Sequence, residues 1–449
     1  MKAVAAAVFC LLLAMSLIVW HVQPNQTPGG VARVEWVSDE NPLRQEQREL
    51  FNRSHPGIKI SLDPNNQGVE KVIVQSLAGV GPDVFDCYDG YQLAAFARAG
   101  IALDMTDILA EHGVNVERDT FRGTRSTAIF DGRVYGVPTN VATDAIWLHK
   151  DLFKKAGEPL PKGPWRWPEF IALAKRLTVR GEDGRIQQYG FLFDWGNWVH
   201  FIYGFGGHVF TPNGTRCTLD SPSAIAGIQL MHDFIYEHHI SPTPVEEAAI
   251  ATQGGWGSGN LTYFGGKRGA MALGGRWWLA QLRKYGGLSL GVVESPYGTR
   301  HRFHAYGRAT LINKAGNNVD QAIQFLLYLA GPDYNQLINK QADGVSAFKQ
   351  FAVGPLFLHD PDHPEEDYNA AWRTITESGD PDEVSPFVDG ATLNRLVTTQ
   401  LDLVKADQKS PASAMKTVAA QINEEIAKTL QLDPKLAERY RLLGEESKP

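Results

Sequence analysis

The chain has 449 residues, of which 43% are hydrophobic and 21% are charged, with 44 glycines and 25 prolines. These values are typical of folded globular proteins, and the length allows roughly two to four domains, which excludes a peptide or a single small module. The 43 basic and 50 acidic residues give a formal net charge of -7. Because both signs are dispersed along the chain, no basic stripe predicts nucleic acid binding.

The first apolar segment covers residues 3–20 and follows Lys2, a pattern typical of an export signal. No small-residue cleavage site follows it, and a segment of this length also nearly spans a bilayer. A cleaved signal peptide over residues 1–22 and a retained amino-terminal membrane anchor through residues 3–20 therefore both stay open. Both predict an extracytoplasmic protein, periplasmic or on the cell surface, and residues 23–30 are then a linker.

Only two cysteines, Cys87 and Cys217, follow this segment. One pair does not make a disulfide framework, even in an oxidising compartment. A bridge between them would require Cα atoms within about 7 Å of each other, which the sequence leaves open.

Strand and helix patterns alternate along the body of the chain. Apolar runs predict strands over residues 31–37, 58–62, 84–87 and 145–148. Helical spacing predicts helices over residues 42–54, 69–78, 93–99, 151–156 and 169–177. This alternation predicts an α/β fold with doubly wound, mostly parallel sheets flanked by helices, because right-handed crossovers connect parallel strands.

Ligands of such sheets bind at the carboxyl ends of the strands. The loops that follow the first and third predicted strands are polar, and they contain Asp39, Glu40, Asn41, Tyr88 and Asp89. One of these, Asn41, also precedes a proline in the way that a helix N-cap does, so capping competes with ligand binding there.

Tryptophan is the residue type that departs most from average, with 11 in the chain. Four of them are predicted to fill hydrophobic cores: Trp147, Trp165, Trp167 and Trp372. Five others lie in loop-like segments that contain glycine or asparagine: Trp195, Trp198, Trp256, Trp277 and Trp278. Such rings either pack in the core or stack on the apolar face of a pyranose at the edge of a cleft.

Five segments, spread in order over about residues 32–430, carry a resemblance to a known family. They are WVSDENPLRQEQRELFNRSHPGIKI, GPDVFDCYDGYQLAAFARAGIALDMTDIL, YGVPTNVATDAIWLHKDLFKKAGEPLPKGPWRWPEFIALAKRLT, FGGKRGAMALGGRWWLAQL and VDQAIQFLLYLAGPDYNQLINK. The third is the most specific. In these segments the chain resembles type 1 extracellular solute-binding proteins, the maltose-binding-protein-like sugar receptors of bacterial ABC importers.

The resemblance implies a two-lobed periplasmic-binding-protein-like fold of type II, in which a carbohydrate is held in a cleft between the lobes. Lobe one would comprise residues 31–141 and 307–350, and lobe two residues 142–306 and 351–449. The closed form, a monomer, would dock on the transmembrane subunits of an ABC permease, which work with a cytoplasmic ATPase.

The resemblance also extends the set of candidate ligand contacts. Besides the five loop residues of lobe one, it implies Trp195, Asn197, Trp256, Trp277 and Trp278 in lobe two, with Asn140, Asp144 and Arg308 near the crossing segments. The tryptophans would stack on sugar rings and the other residues would bind hydroxyl groups, with Arg308 offering a fork of donors.

Two alternatives stay open beside a sugar receptor. A glycosidase needs two carboxylates about 5 to 9.5 Å apart, which a cleft with Asp39, Glu40, Asp89 and Asp144 could supply. The usual motifs of metal, acyl, phosphate and dinucleotide chemistry are absent, so we predict no catalytic residue, metal or cofactor. A receptor of the same fold could also bind a polyamine, glycerol phosphate or a peptide, and the acids in the ligand loops suit a polyamine better than a phosphate.

Overall fold

Two β-sheets, each covered by helices, organise the chain. The computed structural model describes residues 30–65, 68–250 and 259–446, with residues 12, 14, 15, 26 and 27 before them. Trp256 and most of the amino-terminal apolar segment lie outside the described residues, so the structure does not address the predictions for them. In the described part, no helix combines the length and the apolar character that a bilayer span requires.

The strands of the described part are β1 Gln26–Thr27, β2 Val31–Val37, β3 Ile58–Asp63, β4 Val84–Cys87, β5 Ile129–Phe130, β6 Arg133–Val134, β7 Gly136–Thr143, β8 Ala145–His149, β9 Val179–Arg180, β10 Ile186–Leu192, β11 Gly269–Gly274, β12 Leu290–Val293, β13 Phe303–Ile312 and β14 Gly379–Asp380.

The α-helices of the described part are α1 Leu43–Ser54, α2 Val69–Leu77, α3 Gly90–Arg98, α4 Thr106–Glu111, α5 Val116–Asp119, α6 Arg125–Ala128, α7 Lys150–Ala156, α8 Trp167–Leu177, α9 Trp198–Gly204, α10 Pro222–Tyr236, α11 Pro244–Ile250, α12 Asn260–Gly265, α13 Leu279–Leu282, α14 Val319–Leu329, α15 Pro332–Gln341, α16 Pro355–Leu358, α17 Asn369–Glu377, α18 Gly390–Lys405, α19 Pro411–Leu432 and α20 Pro434–Glu446. Short 3-10 helices cover Arg122–Thr124, Trp195–Asn197, Arg276–Trp278, Arg283–Tyr285 and Lys349–Phe351.

The larger sheet has the order β1-β2-β4-β13-β14, with β3 paired to β2 and β7 paired to β13. The smaller sheet has the order β12-β8-β11-β10-β9, and β5 and β6 form a separate hairpin. The predicted parallel arrangement holds for β2 with β3 and β4. Both sheets are nevertheless mixed rather than mostly parallel, since β13 runs antiparallel to β4 and β7, and β8 runs antiparallel to β11 and β12.

The strands and helices predicted from the sequence are confirmed, with ends that differ by at most a few residues. Three hydrophobic cores hold them together. One core packs on the larger sheet, the second on the smaller sheet and the carboxyl-terminal helices, and the third joins residues of both sheets. The predicted core tryptophans Trp147, Trp165, Trp167 and Trp372 are all buried, as expected. Cys87 and Cys217 are buried free thiols.

The chain passes from one sheet to the other at Asp144, the single residue between β7 and β8. It returns in β13, which pairs along its whole length within the larger sheet. The predicted lobe boundary at residue 307 therefore falls inside this strand. The long antiparallel pair β7 and β13 forms a floor beside which elements of both sheets meet.

Candidate functional site

A cavity of about 170 Å³ lies over the β7 and β13 floor, and we call it the first cavity. It lies where the loops after β2 and β4 of the larger sheet approach the turn after β11 of the smaller sheet. The lining residues are Asp39, Asn41, Arg44, Tyr88, Asn140, Ala142, Trp277, Tyr306, Gly307, Arg308, Asp343 and Gly344. Six of the predicted contact residues are thus brought together here.

One wall of the first cavity is a buried ion-pair network centred on Arg44, a residue of α1 that is only 2% exposed. The guanidinium donates to Asp39, with Nη2 and Oδ2 2.9 Å apart, and also forms an ion pair with Asp343. Asn41 donates to Asp343 as well, at 3.1 Å. Burial raises the pKa of Asp343, but Arg44 and Arg308 outweigh this effect and hold the pKa below its ordinary value. Asp343 is therefore an ionised carboxylate.

Asn41 makes the contact of a capping residue and also lines the first cavity. Its side-chain oxygen accepts from the backbone N–H of Leu43 at 3.0 Å, as a capping residue would, while its amide nitrogen contacts Asp343.

The second buried guanidinium belongs to Arg308 of β13. It donates to Thr139 at 2.8 Å, to Gln47 at 3.1 Å and to Asp86 at 3.3 Å. The β7 and β13 register shifts at Arg308, which pairs with Asn140, and the Asn140 side chain accepts from the Arg308 N–H at 2.9 Å. Such bulges re-aim side chains beside binding sites. Both arginines of the first cavity are therefore already paired with carboxylates.

The opposite wall is an aromatic pair tied to a buried acid. The Trp277 indole N–H donates to the Tyr306 hydroxyl at 3.1 Å, and that hydroxyl donates to Asp144 at 2.8 Å. Asn197 donates to the other oxygen of Asp144 at 2.6 Å. Asp144 and Asn197 do not line the cavity themselves but hold Tyr306, and through it Trp277, in place.

A second cavity, of about 530 Å³, lies on the same face of β13 as the first. His304 lines the second cavity and Tyr306 lines the first, and residues two apart on a strand lie on the same face. Asp89 lies here rather than in the first cavity. It also caps α3 by accepting from the Gln92 N–H at 2.8 Å. Burial and the neighbouring Asp382 raise the pKa of Asp89 to about 6.

The other predicted contacts lie elsewhere. Glu40 is exposed and lines neither cavity. Trp195 and Trp278 are only 7% and 5% exposed, and their rings pack in hydrophobic cores. The packing of Trp278 depends on Gly274, because a Cβ at that position would collide with the indole ring. The ring of Trp278 therefore fills space that Gly274 leaves open.

A family model described as bacterial extracellular solute-binding protein matches residues 35–336. The chain belongs to this family. The family and the fold are those of substrate-binding proteins, as the resemblance implied.

Individual relatives agree with the assignment. A maltooligosaccharide ABC transporter solute-binding lipoprotein of Streptococcus pneumoniae is 25% identical over 309 residues, which cover 65% of this chain and 66% of that protein. An ABC substrate-binding protein of Listeria monocytogenes in complex with cycloalternan has a TM-score of 0.75 at 18% identity, covering 88% of this chain and 98% of that one. UgpB of Mycobacterium tuberculosis in complex with glycerophosphocholine has a TM-score of 0.71 at 15% identity, covering 89% and 100%.

The structural likeness confirms the predicted two-lobed fold of type II for this family member. The chain spans between 30% and 54% of the length of the first curated relatives that it matches.

Sequence reasoning missed six of the residues that line the first cavity, and three of these have polar side chains: Arg44, Tyr306 and Asp343. The strand alternation of β13 could have indicated Tyr306, since it lies two residues before Arg308. Arg44 follows Asn41 by three residues at the start of a helix, which is a weaker signal. Nothing local marks Asp343, because its partners lie about 300 residues away.

The titration of Asp144 gives a test of this site. Burial raises its pKa to about 6, against the opposing effect of hydrogen bonds from Tyr306 and Asn197. Between the unfolded pKa near 3.8 and about 6, the folded protein retains a proton that the unfolded chain has lost, so this group makes stability fall as pH rises. In the variant Asp144→Asn this titration is absent. We therefore expect the free energy of unfolding of the variant to fall with pH by up to about 3 kcal/mol less than that of the unchanged protein.

The measurement is the free energy of unfolding by urea from pH 4 to pH 7, for the protein and the variant. Asp107→Asn, at an exposed position of α4, is the control and should leave the pH profile unchanged. Parallel profiles for the protein and Asp144→Asn would contradict the assignment.

Proposed function

We propose that this protein is the extracytoplasmic receptor of an ABC importer and that it captures a carbohydrate in the first cavity. The observation that carries the proposal is the composition of that cavity. One wall presents the indole ring of Trp277. The other wall presents hydrogen-bonding side chains, in which the arginines are already paired with carboxylates. An aromatic ring packs on the apolar face of a pyranose and fixed polar groups bind its hydroxyls, so this combination suits a sugar.

The two-lobe division predicted from the sequence completes the proposal. Lobe one, residues 31–141 and 307–350, supplies Asp39 and Tyr88, and lobe two, residues 142–306 and 351–449, supplies Trp277. A ligand that contacts both lobes favours their closure only through contacts made in the closed state. The closed form, acting as a monomer, would then dock on the membrane subunits of a permease. The apolar segment of residues 3–20 would export the protein or anchor it.

The charges of the first cavity favour a sugar over a phosphate ester. Proteins bind a phosphate group through arginines that donate two parallel N–H hydrogen bonds to its oxygens, or through helix N-termini. Arg44 is held by Asp39 and Asp343, and Arg308 by Asp86, Gln47 and Thr139. This pair of arginines therefore does not favour a phosphate ester such as glycerophosphocholine, the ligand in the complex of the mycobacterial protein. A saccharide such as the maltooligosaccharide named for the pneumococcal relative fits the first cavity better.

The same network argues for binding rather than hydrolysis. A glycosidase needs one carboxyl that holds a proton near neutral pH. Asp343, which lines the first cavity, has a lowered pKa. Asp89 and Asp144 have pKa values raised to about 6, but neither of them lines the first cavity. We therefore propose that the carboxylates of the first cavity position the ligand and do not transfer protons.

Thermal unfolding with a ligand panel tests the function. Residues 23–449 would be heated with mono- and oligosaccharides, spermidine and glycerol 3-phosphate. A ligand that binds only the native state raises the midpoint by mass action, by about 2.7 kcal/mol of added stability at 100 times Kd. We expect a rise with a saccharide and no new product on chromatography. A rise with glycerol 3-phosphate alone, or sugar turnover, would contradict the proposal.

A further inference from the structure

The two proposed lobes touch at a place where no strand connects them. The lobe-one side of this contact consists of α3 and the hairpin of β5 and β6. The lobe-two side consists of residues 381–389 with α18 and α20. Each side belongs to the core of its own lobe, since Leu93 and Phe96 of α3 pack on the larger sheet and Phe387 packs in the core of the smaller sheet. We call this contact the latch.

Three hydrogen bonds join α3 to residues 381–389. They run from the Tyr91 hydroxyl to the Glu383 carbonyl at 2.7 Å, from Arg98 to the Ser385 carbonyl at 3.0 Å, and from the Gly90 N–H to the Asp382 carboxylate at 3.2 Å. Every donor lies in lobe one and every acceptor lies in lobe two. The polar groups of the two sides are therefore complementary.

Two glycines let the two sides approach closely. A Cβ at Gly90 would lie 2.5 Å from Cγ2 of Val384, and a Cβ at Gly390 would lie 2.3 Å from Cβ of Tyr91. Atoms at such distances collide, so a larger residue at either position would push the sides apart. The latch is therefore packed as well as hydrogen bonded.

The latch also contains an ion pair with two hydrogen bonds. Arg439 of α20 donates from Nη1 and Nη2 to the two carboxylate oxygens of Asp131, at 2.7 and 2.6 Å. Asp131 lies in the turn between β5 and β6 with a φ of 49°, a region that aspartate and asparagine adopt more readily than most residues. The two side chains are 38% and 42% exposed. Ion pairs of this exposure contribute about 0–1 kcal/mol, so they form and break readily.

The latch lies on the cleft side of the β7 and β13 floor. Tyr91, Asp382 and Gly390 line the second cavity, which is on the same face of β13 as the first. A rotation that opens the cleft about this floor moves α3 away from residues 381–389, and closure brings them together. The contacts of the latch are therefore compatible with the closed arrangement of the lobes and not with an open one.

We infer that the latch is a closure device, whose contacts form when the lobes close and break when they open. This inference rests on the two-lobe division used for the proposed function. The latch lowers the free energy of the closed form whether or not a ligand is present. Because apparent affinity depends on the fraction of molecules in the binding-competent state, the latch raises the affinity for every ligand by the same factor.

The test measures closure without any ligand. Asp107 of α4 and Arg185, between β9 and β10, are exposed and belong to different lobes. In the full chain, Asp107→Cys and Arg185→Cys would carry a donor and an acceptor dye. Cys10→Ser removes the third cysteine, while Cys87 and Cys217 are buried. Single-molecule energy transfer then gives the ratio of closed to open molecules.

Variants of the ion pair leave the local backbone intact. Asp131→Asn keeps a residue that adopts the left-handed turn, and Arg439→Gln keeps a good helix former. We expect each to lower the closed-to-open ratio by about 2- to 5-fold. The two together should lower it no further, because one interaction is lost in all three proteins. Arg176→Gln is the matched control, since it breaks a similar two-bond pair with Glu158 inside lobe two and should leave the ratio unchanged.

A third variant tests the hydrogen-bonded part of the latch. Tyr91→Phe keeps the ring and removes the bond to the Glu383 carbonyl. Combined with Asp131→Asn, it should lower the closed-to-open ratio at least 5-fold, because two separate contacts of the closed form are lost.

The other outcomes overturn the inference. An unchanged ratio in the combined variant would mean that the latch is a permanent part of the fold, and a lower free energy of unfolding in urea would then accompany it. A ratio that rises would assign the contacts to the open form. Because no ligand is added, failure of this test is distinct from failure of the ligand panel that tests the proposed function.

Discussion

Replacing Asp343 with alanine is expected to lower the free energy of unfolding by about 3–5 kcal/mol. The carboxylate is buried and forms an ion pair with Arg44, and it also accepts hydrogen bonds from Asn41 and Gln47. Removing it leaves a guanidinium buried without its main partner, which costs more than the ion pair itself contributes. Urea denaturation at pH 7 measures the effect.

The matched control is Asp367→Ala. This aspartate also forms an ion pair, with Lys150 at 3.0 Å, but its side chain is 69% exposed. Exposed pairs contribute about 0–1 kcal/mol, so little stability should be lost. The pKa of Asp343 is lowered in the folded state, so its contribution is present above the unfolded pKa and disappears as pH falls through the folded pKa. Equal losses for the two variants, or a difference that grows on acidification, would contradict the buried ion pair.

The fold was predictable where local pattern decides it. The runs that became β2, β3 and β4 are apolar, bounded by polar loops, and separated by helical patterns, so their parallel pairing follows from connection rules. The long antiparallel pair β7 and β13 was not predicted as strands. Its partners are about 170 residues apart, as in the pairing of Asn140 with Arg308. Nothing in either segment alone specifies that pairing.

The same distinction between local and long-range signals applies to the residues of the candidate site. Residues directly after a strand, such as Asp39 and Tyr88, were predictable because strand ends meet at one edge of the sheet. The roles of the tryptophans beside glycine were not predictable, because a glycine can either form part of a loop or make room for a packed ring. At Gly274 it makes room for Trp278. Sequence alone does not distinguish that packed ring from its neighbour Trp277, which reaches the first cavity.

This neighbouring pair gives the sharpest test of the proposed site. Trp277→Ala is expected to weaken binding of the saccharide selected by the thermal panel by about 1–3 kcal/mol, because a ring that stacks on the sugar is lost. The melting temperature should stay nearly unchanged, since Trp277 is only half-buried. Isothermal titration calorimetry and thermal unfolding measure the two quantities.

Trp278→Ala is the control one residue away, and the opposite result is expected. Its ring is 5% exposed and packs with Phe264 and Trp277, so truncation leaves a core cavity and should cost about 3–5 kcal/mol of stability. Because Trp278 does not line the first cavity, the protein that remains folded should bind the sugar with nearly unchanged affinity. If Trp277→Ala instead lost stability and kept its affinity, its ring would be core and the first cavity would not be the sugar site. Loss of both quantities in both variants would mean that the Arg276–Trp278 turn acts as one structural unit.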